Sequence, residues 1–294
     1  MKTKEFLGKL ELNKTHLGDC MKLARELPDN SIDLVVTSPP YADTVSYGDN
    51  VSVKGPEHYV DWFLPLFKEA RRFLKDTGSF ILNINDKADN GERSIYVYDL
   101  VTRIVKETGL KLFDRYIWFK KATLPMTGDR RLNDRIEYIF HFVKDPKKFK
   151  CNMDDVRVPY NPSSLNRFKS KVHGNNIVLK DGTIVLSNRG SSKPHPKGAK
   201  PITVFRFDTC SALRGTKHPA PFHPQLPTWF IKWLTNEGDM VLDPFMGGGT
   251  VAEVAVKMKR NYMGFDVNPT YIKMTEERLK EFAKHSKSLK EFVD

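Results

Sequence analysis

The stretch Ile32-Asp-Leu-Val-Val-Thr-Ser-Pro-Pro-Tyr41 is an apolar, β-branched run that ends at a diproline and an aromatic ring. A second stretch of the same build, Met240-Val-Leu-Asp-Pro-Phe-Met-Gly-Gly-Gly-Thr250, stands about two hundred residues later. In each, the apolar run reads as a strand and the string after it as the loop at its carboxyl end, where open α/β sheets hold their ligands. The glycines let backbone come close to a small anionic group, and a helix beginning near Thr250 aims free N–H groups at a carboxylate. The diproline loop is stiff and suits a flat polar ring, met by a carbonyl, a hydroxyl and an aromatic face. Together the two strings predict an enzyme that joins a nucleotide-like cofactor to a planar base.

Outward from these strings, strands alternate with helices. Residues 13–19 read as a short strand and 21–27 as a helix closed by Pro28-Asp-Asn30. Residues 58–74 carry apolar side chains at helical spacing (Trp62, Leu66, Phe67, Ala70, Phe73), and 79–83 form a buried-looking strand. A helix over 94–107 and strands over 112–119 and 136–143 follow. From Phe222 onward come a helix through Trp229 and Trp233, a strand to Leu242, a helix from Thr250, a strand to Phe265 and a last helix. The alternation predicts an α/β fold: a mostly parallel sheet with helices on both faces and an antiparallel pair at one edge.

Between the halves the texture changes. Asn161-Pro-Ser-Ser164, His173-Gly-Asn-Asn176 and Gly190-Ser-Ser-Lys-Pro-His-Pro196 are loop chemistry, and Lys180-Asp-Gly182 between two short β-branched runs signals a hairpin. The expected organisation is a catalytic half over 1–144, a small irregular insert over 145–216 and a cofactor half over 217–294. Of the net charge of +12, nine units lie in 145–216, which holds fourteen Lys/Arg against five Asp/Glu. Charge so localised favours a polyanion such as nucleic acid, although a solvated basic loop has the same composition. The three cysteines are too few and scattered for a disulfide framework or a zinc pair, so no metal is expected. Neither a membrane-spanning run nor a signal-like apolar start is present, and a cytoplasmic location is the expectation.

The cofactor string gains weight from Asp266, 23 residues after Asp243 and directly after the strand 261–265. That is close to the spacing of about 20 residues at which an acidic side chain holds ribose hydroxyls. The string is not Gly-x-Gly-x-x-Gly, which favours a mononucleoside-like cofactor over a dinucleotide. Taken alone, it would also suit a tight structural turn with a capping Asp, and Ser-Pro-Pro-Tyr alone an ordinary proline turn.

The two strings, in this order, resemble the amino-methylating DNA methyltransferases of the β subgroup. These carry a [Asp/Asn/Ser]-Pro-Pro-[Tyr/Phe] catalytic loop and an Asp-Pro-Phe-x-Gly-x-Gly-Thr cofactor loop. The resemblance implies a Rossmann-like methyltransferase fold with a target-recognition insert, S-adenosylmethionine as cofactor and double-stranded DNA as substrate. It is compatible with a homodimer and with a restriction endonuclease acting on the same site. By the same resemblance, Thr37, Asp243, Pro244, Phe245, Gly247, Gly249 and Thr250 form the cofactor loop region, which holds the methionine part. Asp266 takes the ribose, and Asn268 lies near the adenine. Asp19 and Cys20 bind the adenine, although Asp19 also suits a helix cap. Phe222, in His218-Pro-Ala-Pro-Phe-His-Pro224, corresponds to a contact on the methionine moiety.

For the chemistry, an exocyclic amine of cytosine or adenine is a poor nucleophile, because its lone pair is delocalised into the ring. Acceptors on its two N–H bonds return electron density to nitrogen, and Ser38 and the Pro39 carbonyl, held by Pro40, are suited to this. Tyr41 can stack on a base that has left the duplex. Family members with Ser in the first position mostly methylate cytosine N4 and those with Asp mostly adenine N6. Cytosine N4 is therefore the first expectation and adenine N6 the alternative. An RNA or protein methyltransferase and a catalytically silent DNA-binding module remain as more distant alternatives. Lys120, Arg130 and Arg131 around one loop, and Arg157, Arg167, Lys169, Lys171, Arg189 and Lys193 in the insert, are candidate DNA contacts. Ala42 to Glu57 is a candidate lid over the flipped base.

Overall fold

The computed structural model describes residues 4–42, 55–89, 91–121, 130–169, 177–178, 184–185, 193–207 and 223–291. The candidate lid falls largely on 43–54, outside these residues. The main sheet is built from β1 (Lys14–Leu17), β2 (Ile32–Thr37), β3 (Leu74–Ile84), β4 (Lys111–Lys120), β5 (Ile136–Val143), β6 (Val204–Phe207), β7 (Met240–Asp243) and β8 (Asn261–Asp266). Their order across the sheet is β6-β4-β5-β3-β2-β7-β8-β1. Every pairing is parallel except those of β5, which runs against both β3 and β4.

The antiparallel pair expected at the edge therefore lies one strand in. The edge belongs to Val204–Phe207, which pairs in parallel with Ile117–Lys120. This stretch falls inside the range expected to be an irregular insert. It joins the sheet because Phe205 is buried against Tyr116, Trp229 and Phe230.

Helices cover both faces, and the alternation of side chains along the strands decides which residue meets which helix. The helices are α1 (Cys20–Ala24), α2 (Pro56–Phe73) and α3 (Tyr96–Thr108) in the first half, and α5 (Gln225–Leu234), α6 (Thr250–Lys257) and α7 (Pro269–Glu291) in the second. A further helix, α4 (Pro162–Lys169), lies in the insert. Phe80 and Phe142 face α2 and meet Phe67 at ring distances of 4.6 and 5.8 Å. On the opposite face Tyr116 and His141 meet Trp233 of α5 at 6.2 and 5.7 Å. Burial pushes the His141 imidazole down to about 3, so it serves as a neutral core group between Ser79 and Tyr116.

Local chemistry accounts for the helix ends. Pro56 at the first position of α2 gives up an N–H that would have no partner there, and its ring presets the helical φ. α3 stops at Gly109, whose φ of +78° closes the helix in the left-handed region.

The chain divides into two compact units, Met1–Cys151 with Thr203–Asp294, and Asn152–Ile202. Within the smaller unit, Val158 bridges Ala199, and Arg157 donates to Asp154 Oδ1 at 2.7 Å and to the Gly198 carbonyl at 3.0 Å. Gly198 is needed there, since its φ is +105° and a Cβ would stand 2.3 Å from the Val158 oxygen. Ile177–Val178 pairs antiparallel with Ile184–Val185, while the Lys180-Asp-Gly182 turn expected between them lies outside the described residues.

Candidate active site

At the carboxyl ends of β2, β7, β8 and β1, which are neighbours in the sheet, four loops converge and are tied to one another. Thr37 ends β2 and donates to Asp243 Oδ1 at 2.7 Å, in a bond buried from solvent. The Phe245 amide donates to the same oxygen at 3.0 Å, which turns the chain sharply after β7. Asp266 accepts the Gly247 amide on Oδ2 and the Asn268 amide on Oδ1, both at 2.8 Å. Its own carbonyl accepts the Gly18 amide at 2.8 Å, which brings in the loop after β1.

The glycine string is shaped from below. Gly249 has φ +78° and begins α6; a Cβ there would lie 2.7 Å from the Thr275 side chain. Thr275 donates to the Gly247 carbonyl at 3.0 Å. Arg278 donates to the Gly248 carbonyl at 3.0 Å and to Thr250 Oγ1 at 3.1 Å, and is ion-paired with Glu253. Phe245 packs its ring against Trp62 and Phe63 and so pins the loop to α2. Pro244 is buried beside it. Thr275 and Arg278 carry no signal in the sequence, because both come from the face of α7, a helix with no motif of its own.

Asp19 accepts the Met21 and Lys22 amides on Oδ1 and caps α1, as its cap reading predicts. Burial pushes the Cys20 thiol up to about 12, so it is held as an unreactive thiol.

Two carboxyls in this cluster are perturbed. Asp243 is fully desolvated, and its hydrogen bonds come from a neutral hydroxyl and an amide; burial pushes it up to about 7. Burial also holds Asp266 above the ordinary carboxylate range, against the lowering effect of its backbone amides. Both sites favour whatever restores positive charge or donates hydrogen bonds beside them.

The diproline string lies next to this cluster in the chain. Ser38 and Tyr41 are half-buried, Pro39 is buried, and the Pro40 carbonyl accepts the Tyr59 hydroxyl at 2.8 Å. Ser38 Oγ lies 3.1 Å from the Tyr41 hydroxyl. Tyr41 donates to Glu137 Oε2 at 2.8 Å, and Asn83 Nδ2 donates at 2.6 Å both to Tyr41 Oη and to Glu137 Oε2. Asn83 Oδ1 is buried without a partner, as are Asn85 Oδ1 and Asp86 Oδ2 a few residues on. The reversed direction of β5 explains this meeting. Its first residues stand where the parallel strands finish, so Glu137 comes beside Asn83 near the end of β3. Sequence reading missed both residues.

The candidate nucleic-acid contacts fare unevenly. Lys120 is ion-paired with Glu137 and stands over the Trp118 ring at 5.2 Å, so its charge is largely committed within the site. Arg131 is exposed and donates to the Gly91 carbonyl, while Arg130 and Lys193 are exposed. Arg157 is taken up in its own unit by Asp154 and Gly198. Arg167 and Lys169 lie on α4. Phe222, Lys171 and Arg189 are outside the described residues. Among the described residues there is no group of three metal-ligating side chains, and no helix is long and apolar enough to cross a membrane.

Comparison with known proteins gives a consistent result. A family model described as DNA methylase matches residues 32–277. The Type II methyltransferase M.PvuII of Proteus hauseri is 30% identical over 87% of this chain and 80% of its own. M1.MboII of Moraxella bovis, also a Type II methyltransferase, is 29% identical over 90% of this chain and 95% of its own. Among solved structures, the PvuII DNA methyltransferase (cytosine-N4-specific) superposes with a TM-score of 0.66 and 26% identity, covering 89% of this chain and 84% of that one. A Thermus thermophilus protein complexed with S-adenosyl-L-methionine shares the fold, with a TM-score of 0.59 and 23% identity over 90% and 92% of the two chains.

Proposed function

Because the chain belongs to the DNA methylase family, we propose that it transfers a methyl group from S-adenosylmethionine to the exocyclic N4 of a cytosine flipped out of double-stranded DNA. The observation that carries the reading is the buried Thr37–Asp243 bond, which joins the catalytic string to the cofactor string. The choice of cytosine N4 is supported by Ser38 at the head of the catalytic string and by the likeness to a cytosine-N4-specific enzyme. The Type II designation of the relatives supports a companion endonuclease that acts on the same site.

The donor set fits the cofactor. Asp266 spends two of its acceptor positions on backbone amides and keeps the rest for the ribose hydroxyls, which are donors. Asp243, desolvated and held by a hydroxyl and an amide, would supply countercharge to the cationic methionine end. Asp19 would take the adenine amine and Asn268 would lie beside the ring. Phe222 would close over the methionine. When bound, the cofactor supplies a methyl group already activated by its sulfonium, so no covalent enzyme intermediate is needed.

The chain's own task is then to hold and polarise the amine. Ser38 Oγ and the Pro39 carbonyl accept its two N–H bonds and draw the nitrogen towards tetrahedral geometry. The Tyr41 ring offers the stacking face for the extruded base, and its hydroxyl is tethered by Asn83 and Glu137. Positioning accounts for much of the rate. Among the described candidates, Arg130 and Lys193 are exposed and would meet the phosphates, together with the candidates Arg131, Arg167, Lys169, Lys171 and Arg189.

Incubation of unmethylated DNA with the protein and isotopically labelled cofactor, followed by nucleoside mass spectrometry, tests the reading. Labelled N4-methylcytosine is expected. Labelled N6-methyladenine would keep the mechanism and overturn the choice of base, and no labelled nucleoside across varied DNA would refute a DNA substrate. Asp266→Ala is expected to abolish turnover, and full activity in that variant would refute the cofactor assignment.

A further inference from the structure

Resting on that reading, we infer that Glu137 acts on the Ser38 hydroxyl through Tyr41, fixing its direction and serving as the terminal acceptor of the proton that the methylated amine gives up. The donor and acceptor inventory of four side chains leads to this.

Glu137 is paired on Oε1 with the Lys120 ammonium, and its Oε2 accepts from both Tyr41 and Asn83. An ion-paired carboxylate only accepts, so the single phenolic proton of Tyr41 points to Glu137. The Asn83 amide has two protons. It gives one to Tyr41 Oη and one to Glu137, each at 2.6 Å, while its contact to Ser38 Oγ is long at 3.4 Å. Tyr41, with its own proton committed, can meet Ser38 only as an acceptor. At 3.1 Å the Ser38 hydroxyl therefore donates to Tyr41. Its lone pairs are left for an incoming amine N–H.

Had the Ser38 proton pointed the other way, the hydroxyl would oppose the amine with a donor. A lone serine chooses between these states freely. Here the choice is made by a carboxylate two hydrogen bonds away, on a strand that reaches this end of the sheet because it runs backwards.

The same alignment is a proton path. After transfer the nitrogen carries an extra proton. The N–H bond breaks as that proton joins Ser38 Oγ, the Ser38 proton passes to Tyr41 Oη, and the Tyr41 proton passes to Glu137 Oε2. Three O–H bonds form, and one N–H and two O–H bonds break. The net change is neutralisation of the amine and of the Glu137 carboxylate. No other reactant is consumed. Glu137 is thus a positioning and relay residue that does not itself touch the base.

The test uses the full-length protein with DNA and cofactor and reads single-turnover methyl transfer, cofactor affinity by calorimetry, and melting temperature. Glu137→Gln keeps the shape of the side chain, but its amide carries no charge to pair with Lys120 and cannot take up the relayed proton. Tyr41→Phe keeps the stacking ring and cuts the link. Each is expected to slow transfer by about 100-fold, the usual size of a general acid–base contribution, with cofactor affinity unchanged. The double variant should be no slower than the slower single variant, because both break one chain. An unchanged rate in Glu137→Gln, or effects that multiply in the double variant, would overturn the relay. A wild type that methylates no nucleoside would overturn the functional reading and the relay with it.

Discussion

β2 and β7 lie side by side, and each end of the pair is bridged through an aspartate, but the two bridges are built oppositely. At the amino ends Asp33 is buried, accepts the Met240 amide at 3.0 Å and is paired with the Lys75 and Lys150 ammonium groups at 2.7 and 3.3 Å. At the carboxyl ends Asp243 is just as buried, yet its partners are a hydroxyl and an amide. The first carboxylate is supplied with countercharge by the fold. The second is not, and burial pushes it up to about 7. A charge that the chain leaves uncompensated belongs at the end where a cationic ligand arrives, and a compensated one belongs to the scaffold.

Replacing each aspartate in turn tests this contrast most harshly. Asp243→Ala is expected to lower methyl transfer by about 10³-fold or more, the scale of a lost electrostatic contact in a dry site, with cofactor binding abolished in calorimetry. Asp33→Ala should do the reverse. Breaking a buried ion pair leaves Lys75 and the Met240 amide without this acceptor, while Lys150 keeps Asp239, at about 3 kcal/mol in chemical denaturation, and transfer per folded molecule stays at the wild-type value. Equal effects of the two on both readouts would erase the distinction.

A milder test uses pH. If the cationic end of the cofactor needs Asp243 ionised, its affinity should rise about tenfold per unit as pH climbs towards 7, then level off above it. A flat profile between about pH 5.5 and 8.5 would exclude Asp243 as the countercharge.

Asp243→Asn should show the smallest change in stability, and that change should be a gain. The folded carboxyl titrates above its unfolded value, so the folded state holds more protons between about pH 4 and 7, and stability falls as pH rises through that window. An amide keeps an acceptor for Thr37 and Phe245 without the charge. Stability at about pH 8 should therefore increase by about 1 kcal/mol while activity is lost, and a lower melting temperature would contradict the electrostatic account.

What could be read from the chain follows the range of the physics involved. Strands such as 32–37 and 136–143 are legible because apolar, β-branched runs report burial locally. The loops after β2 and β7 are legible because proline and glycine carry conformational meaning wherever they occur. The antiparallel pairing of Ile177–Val178 with Ile184–Val185, on either side of Lys180-Asp-Gly182, belongs to the same class. Val204–Phe207 is hidden within the insert, since four residues hold too little pattern to announce a partner 87 positions away. Lys120 passes for a phosphate contact for a similar reason. Its carboxylate, Glu137, comes close only after β4 and β5 have paired antiparallel. Asn83 and Glu137 look like two ordinary polar residues in apolar strands until the direction of β5 is known.

The strand order also bears on how the molecule is made. β1 and β2 are synthesised within the first forty residues, yet they end two strands apart, and the strands between them, β7 and β8, are the last two of the sheet to leave the ribosome. Until Asp243 has been translated, β2 presents an open edge, although every one of its residues is buried in the finished fold. The nascent chain must therefore wait for nearly its whole length with the future seat of the cofactor split open, and it is then that shielding by a chaperone would matter most.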